Sequence, residues 1–292
     1  MFRILIGVSL FLTLKLFAVG AWYKNTEEIP QAKTGSFSPN FVIMKWGVFS
    51  KKGHLTLSKT ATNAYLKTHC SKSLDSIAWV THSLAPGEML NQKSGKALGT
   101  QLAKTLSNTC FSSVELDLEP LKSAQAWLEP FLKGVKETLP KRFKLRLAVP
   151  VISLKALPGK FWSLRDGVKG MQWVDGLDIM TYDSGVKNSK EYSEVFKGAL
   201  FFTIELIKQS PDKDVIIGLP AYDDKTKLHT QETENLETVL ATLKPFTPFQ
   251  LKSLCEGKIR FAYYAGWTLS KKDHDTHKQI EEWTNGICKK AP

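Results

Sequence analysis

No Cys-x-x-Cys pair and no cluster of cysteine and histidine at zinc-ligand spacing occurs in this chain, so the common structural zinc folds are excluded and no metal is expected. There is no internal repeat and no low-complexity tract, which excludes solenoids and repeat arrays. Composition argues against disorder and against a multi-span membrane protein, because 42% hydrophobic and 11% aromatic residues over 292 positions suit one large α/β domain. Negative charge is the scarcer sign. Only 28 Asp and Glu stand against 40 Lys and Arg, a formal net charge of +12. Such a surface suits an anionic partner such as an envelope surface, and a generic solubilising surface is the equal alternative, since the lysines are scattered and not gathered in runs; no nucleic acid is expected.

What is present begins with an N-terminal segment of secretory layout. Arg3 precedes an apolar run from Ile4 to Leu14, Lys15 interrupts it, and small residues Ala18, Gly20 and Ala21 follow. Residues 1–21 are therefore read as a signal peptide, with cleavage after Gly20 or Ala21, or as a membrane anchor with Trp22-Tyr23-Lys24 at the interface. Either reading places the protein outside the cytoplasm, as an exported or envelope-associated chain. Residues 22–39, rich in Asn, Thr, Ser, Pro and Gly, read as a linker, and 40–292 as the folded domain. Four cysteines in an exported chain suggest two disulfides. Cys70 and Cys110 each close a helical stretch before a strand, and Cys255 and Cys288 flank the last strand and last helix, so these two pairings are expected.

The most informative stretch is Phe111-Ser112-Ser113-Val114-Glu115-Leu116-Asp117-Leu118-Glu119-Pro120. Acidic and aliphatic residues alternate with period two, which is a strand pattern. Glu115, Asp117 and Glu119 then form a row on one face at roughly 6.5 Å spacing, and Val114, Leu116 and Leu118 line the other. Three carboxylates in a row repel one another, and a sheet face open to water would carry a mixture of polar residues, so the unbroken acidic row is expected to point into a barrel or cleft. The plainer reading is a solvated edge strand.

Short apolar strands alternate with amphipathic helices through the rest of the chain, which points to a parallel sheet or barrel. Strands are expected at Phe41–Phe49, Ser76–Val80, Ser113–Leu118, Lys144–Pro150, Gly176–Tyr182, Val215–Leu219 and Arg260–Trp267. Helices are expected near 58–69, 95–108, 122–138, 190–208, 233–243 and 275–287. That is seven strands where a closed (β/α)8 barrel needs eight. The deficit lies before the acidic strand, with Leu55 or Leu90 as places for a short, atypical one.

The acidic stretch resembles the fourth-strand motif Asp-Gly-x-Asp-x-Asp-x-Glu of family 18 glycoside hydrolases, the chitinase type. Asp117 and Glu119 match, while Ser112-Ser113 and Glu115 depart from it. Four further stretches resemble the same family in the expected order: Leu147-Ala148-Val149-Pro150, Met180-Thr181-Tyr182-Asp183, Gly218-Leu219-Pro220-Ala221-Tyr222, and Gly266-Trp267 at the end of the last strand. The resemblance implies a divergent (β/α)8 TIM barrel of the α/β class, acting as a monomer without metal or organic cofactor on a polysaccharide containing N-acetylhexosamine. It implies Glu119 as general acid, Asp117 orienting the substrate's acetamido group, and Tyr182 hydrogen-bonding its carbonyl oxygen. Glu115, Met180, Asp183, Tyr222 and Trp267 would shape the sugar site. The family uses the substrate's own acetamido oxygen as nucleophile instead of a second protein carboxylate.

Competing readings exist for each residue. Tyr182 and Trp267 could be core aromatics and Met180 a packing residue. Asp273, His274, Asp275 and His277 read as a charged helix start in preference to a metal site, and His82 as a hydrogen-bonded histidine beside a strand. The alternative for the whole protein is a catalytically silent, glycan-binding barrel of the cell envelope.

Overall fold

The computed structural model describes residues 19–24, 39–58, 75–152, 162–221, 229–265 and 268–290. Among the described residues nine strands run in chain order: β1 (Val19–Tyr23), β2 (Phe41–Phe49), β3 (Leu55–Leu57), β4 (Asp75–Ser83), β5 (Ser113–Glu119), β6 (Lys144–Pro150), β7 (Gly176–Met180), β8 (Asp214–Pro220) and β9 (Ile259–Tyr264). Eight of them pair in parallel in the order β1-β9-β8-β7-β6-β5-β4-β2, and the pairing of β1 with β2 closes the ring. β3 lies outside it, antiparallel to β2. The architecture is a (β/α)8 barrel with one extra strand.

Closure draws the eighth strand from the N-terminal segment. It is Val19–Tyr23, not a stretch near Leu55, which forms β3, or Leu90, which lies in the loop after β4. Gly20 and Ala21 sit opposite Phe41 and Val42 on one side and Ala262 and Tyr263 on the other. A boundary between residues 21 and 22 therefore cuts a barrel strand. Trp22 and Tyr23, expected at a membrane interface or in a linker, are instead buried to within 1% of full exclusion. With β1 counted first, the acidic strand is fourth in the ring and the Met-x-Tyr-Asp strand sixth.

Among the described residues the helices are α1 (Gln92–Leu106), α2 (Leu128–Thr138), α3 (Leu164–Trp173), α4 (Ser189–Gln209), α5 (Leu236–Leu243), α6 (Lys252–Cys255) and α7 (Lys271–Cys288). The expected helix near 58–69 lies outside the described residues except for Ser58. α3 is not among the expected helices; Gly167 and Gly170 lower the helix propensity of this short segment. Asparagine or serine caps α1, α3, α4, α5 and α7, each accepting a backbone N–H of the first turn. Asp273 belongs to one of these caps: it accepts from the backbone N–H and hydroxyl of Ser270 at the start of α7.

The alternation of each strand sorts its residues into two cores. Val42, Met44, Val114, Leu116, Leu118, Leu145, Leu147, Leu177 and Ile179 face outward and pack under the helices. Trp22, Phe41, Ile43, Ile77, Trp79, Ile216 and Ala262 fill the barrel interior. Deeper in that interior a buried ion network replaces apolar packing. Arg146 donates to Asp178 at 2.6 and 2.9 Å and to Asp214, and Arg260 reaches Asp75 at 2.9 Å. Burial opposes ionisation of Asp214, but the Arg146 and Arg260 guanidiniums hold its carboxyl down at about 2.

Cys255 and Cys288 form a disulfide with Cα atoms 5.1 Å apart, joining α6 to the end of α7. The other expected pair includes Cys70, which lies outside the described residues.

Candidate active site

The acidic row points into the barrel, toward the carboxyl ends of the strands. In register, Trp79, Thr81 and Ser83 of β4 stand beside Glu115, Asp117 and Glu119 of β5, and Arg146 and Ala148 of β6 stand beside Glu115 and Asp117. Glu115 and Asp117 are 1% and 6% exposed, whereas Glu119 ends the strand and reaches solvent. The row therefore grades from dry to wet over three residues.

Each carboxylate has a different set of partners. Glu115 accepts a hydrogen bond from Trp22 Nε1 at 3.0 Å, and burial, then the adjacent Asp178, push its carboxyl well above the usual range. Asp117 Oδ2 accepts from Trp79 Nε1 at 3.0 Å. Its Oδ1 is buried with no hydrogen-bond partner among the described residues. Burial raises Asp117, and the Trp79 N–H and the Lys45 ammonium oppose that rise. Glu119 is pushed up to about 7 by burial against the cleft wall and by the negative charges of Asp117 and Asp183, with Lys45 pulling the other way. A carboxyl that holds its proton near neutral pH beside one that accepts hydrogen bonds is the arrangement acid catalysis requires.

Tyr182 follows β7 and lies 8% exposed beside this row. Its ring stacks on Tyr264 with centroids 4.2 Å apart and planes 5° from parallel, and Trp22 meets both rings edge-on. Gly218 makes room for Tyr182: a Cβ there would lie 2.5 Å from Tyr182 Cε1. Burial, then Tyr264 and the three carboxylates, raise the Tyr182 phenol well above its ordinary value, so it stays a neutral O–H donor.

These side chains enclose a small cavity of about 70 Å³, lined by Trp22, Trp79, Glu115, Asp117, Glu119, Ala148, Met180, Tyr182, Asp183 and Tyr264. That is far under the roughly 300 Å³ of a site that swallows a whole ligand. It suits a substituent, with the bulk of the ligand lying across the mouth. A second cavity of about 390 Å³ opens alongside, between Leu84–Met89 after β4 and Pro120–Trp127 after β5.

Glu115, Asp117, Glu119, Met180, Tyr182 and Asp183 are thus brought together. Tyr222 and Trp267 lie outside the described residues. Tyr264, Trp22, Trp79 and Lys45 belong to the site without standing out in the sequence. Tyr264 closes β9 three residues before the tryptophan of the Gly266-Trp267 motif, and Trp22 is hidden at the edge of the expected leader.

Comparison with solved structures finds the same barrel. The chain superposes on a chitinase from Chromobacterium violaceum with TM-score 0.59 and 17% identity, covering 90% of this chain and 98% of that one. It superposes on the spore cortex-lytic enzyme SleL of Bacillus cereus with TM-score 0.59 and 14% identity, over 92% and 75% of the two chains. A GH18 chitinase from Pseudoalteromonas aurantia gives 0.55 and 14%, over 93% and 99%. No protein-family profile and no curated protein sequence matches. At such identities the likeness is one of fold.

The loop after β7 is held by contacts from the segment before α5. Asp183, in the left-handed region with φ of 54°, receives His229 Nδ1 at 2.5 Å, and Glu234 accepts from the Ser184 backbone N–H at 3.0 Å and from its hydroxyl at 2.5 Å. The loop after β4 is braced by His82, between the Phe49 carbonyl at 2.7 Å and Glu88 at 3.0 Å.

Proposed function

We propose that the protein is an exported glycoside hydrolase that cleaves polymers of β-linked N-acetylhexosamine, with the substrate's acetamido group as nucleophile. The observation that carries this reading is Asp117 Oδ1, a buried acceptor with no partner among the described residues, beside a cavity of substituent size and a Glu119 carboxyl pushed up to about 7. Buried carboxylate oxygens are nearly always hydrogen-bonded, and an acetamido N–H is the donor this one lacks.

In the proposed reaction Glu119 gives its proton to the glycosidic oxygen as the bond from C1 to that oxygen breaks. The acetamido carbonyl oxygen attacks C1 from the opposite face, and the N–H, now acidic, is held by Asp117. Tyr182 donates its O–H to the acetamido group as charge develops. Water then attacks C1, Glu119 takes its proton, and the acetamido group is released with net retention at C1. Trp22 and Trp79 fix the row by donating to Glu115 and Asp117. The stacked Tyr264 and Tyr182 wall the cavity with apolar surface suited to a sugar face. The larger cavity beside Pro120 gives a longer chain room to continue past the cleavage point.

The related barrels include chitinases and a spore cortex-lytic enzyme. Chitin-like chains and peptidoglycan glycans are accordingly the two polymers to test, and the net positive charge, which persists without Arg3 and Lys15, favours the anionic one. The test is hydrolysis of N-acetylglucosamine oligomers and of peptidoglycan by the parent and by Glu119→Gln. Turnover in the parent that falls roughly 1,000-fold or more in the variant, with binding kept, is expected. Binding by both without turnover in either would instead make the protein a glycan-binding barrel.

A further inference from the structure

Lys45 sits on β2 directly across from Trp79, just before a bulge that shifts the register with β4. Such bulges re-aim side chains next to sites. Its ammonium donates to Thr81 Oγ1 at 2.5 Å and lies 4.3 Å from the centroid of the Trp79 indole. The same indole donates its N–H to Asp117 Oδ2. Lys45 is thus fixed at one end by a hydroxyl and braced along an aromatic face, on the strand two places from the acidic row. Its position does not follow from any of the motifs that suggested the site.

We propose that Lys45 is a positioning residue for proton transfer, the fixed counter-charge that keeps Asp117 anionic while Glu119 carries the proton. This rests on the glycosidase reading above. The charged groups acting on Lys45 are Asp117, Glu119 and Glu115 of β5 and the like charge of Lys24 just after β1; from β4 it meets Trp79 and Thr81. Burial draws the ammonium below the usual lysine range, and the three carboxylates draw it back up.

The two acids respond unequally. Asp117 is opposed in its rise by two influences, Trp79 and Lys45, and Lys45 holds both, since it braces the indole as well as supplying charge. Glu119 feels Lys45 too, but Asp117 and Asp183 outweigh it. A site with three carboxylates and no cation would distribute its protons among all of them. With the cation on the Asp117 side, the proton is left where the leaving group needs it.

Lys45→Met therefore raises the affinity of both carboxylates for protons. The acid limb of the kcat/KM profile, where Asp117 must be ionised, moves up by roughly one pH unit or more, and the alkaline limb, where Glu119 must be protonated, moves up by less. Lys45→Arg keeps a cation and returns both limbs most of the way. The carboxyl 13C shifts of labelled Asp117 and Glu119 are titrated in parallel, which needs no turnover and so separates this inference from the glycosidase reading. Upward titration shifts in Lys45→Met, reversed in Lys45→Arg, support the proposal even in a protein that cleaves nothing. Unmoved titrations in a folded Lys45→Met protein, with only a lower plateau rate, overturn it. If the Met variant does not fold, Lys45→Gln replaces it, read by the same two criteria.

Discussion

Glu119 gives up part of its freedom to ionise because the fold places it between Asp117, Asp183 and the cleft wall. The unfolded carboxyl titrates near 4.5 and the folded one near 7, so the folded state loses stability as pH rises through that interval. Solvent at the exposed strand end screens much of the loss, leaving about 1 kcal/mol. Glu119→Gln cannot ionise, so it is expected to be more stable than the parent at about pH 8 by that amount and equal to it at about pH 4. Thermal melts at both pH values check this, and a difference of the same size at both would contradict the assigned shift. Gly218 bears on Tyr182 by steric means. Gly218→Ala puts a methyl where the Tyr182 ring lies, with Trp22 the next neighbour at 3.2 Å. Displacing the ring by about an ångström is expected to lower kcat/KM about 100-fold while the barrel still folds. Steady-state kinetics alongside circular dichroism would separate the two effects.

Among the elements, β1 decides most. A chain beginning at Trp22 lacks Val19, Gly20 and Ala21 and their pairings with both β2 and β9, so the ring cannot close. Such a chain is expected to melt without a cooperative transition, whereas one beginning at Ala18 melts cooperatively. On the proposed export, processing then falls before Val19, which mass measurement of the mature protein reads directly. The strands that alternate or sit between clear turns are legible in the sequence: β2 and β6 have the bounds the pattern gives, Phe41–Phe49 and Lys144–Pro150. β1 is not, for a physical reason. A parallel barrel strand buried on both faces carries no alternation, and Val-Gly-Ala-Trp-Tyr reads as the small-residue end of the expected leader and its flank. The acidic row is legible because Glu115, Asp117 and Glu119 share a strand face only under a period of two, and an unbroken acidic face, unlike the mixed polar face of an open sheet, marks a barrel or cleft. Trp79 is not, because an indole in a strand looks like core until its N–H is seen to meet Asp117.

For the molecule as a whole, the disulfide between Cys255 and Cys288 ties the last strand's flank to the last helix across a separation of 33 residues. Closing a loop of that length is worth roughly 4 kcal/mol, so Cys255→Ser with Cys288→Ser is expected to lower the thermal midpoint by several degrees while leaving kcat unchanged. Loss of activity without loss of stability would mean that α7 shapes the site. The acetamido group as nucleophile is the step on which the proposed chemistry turns. It is tested by comparing two chromogenic oligosaccharides that differ only at C2 of the sugar at the cleavage point, one bearing an acetamido group and one a hydroxyl. Cleavage of the first is expected, with retained configuration in the first-formed product, and a rate roughly 1,000-fold lower or less for the second. Comparable rates on both would contradict substrate assistance, because the hydroxyl sugar carries no acetamido oxygen to attack C1.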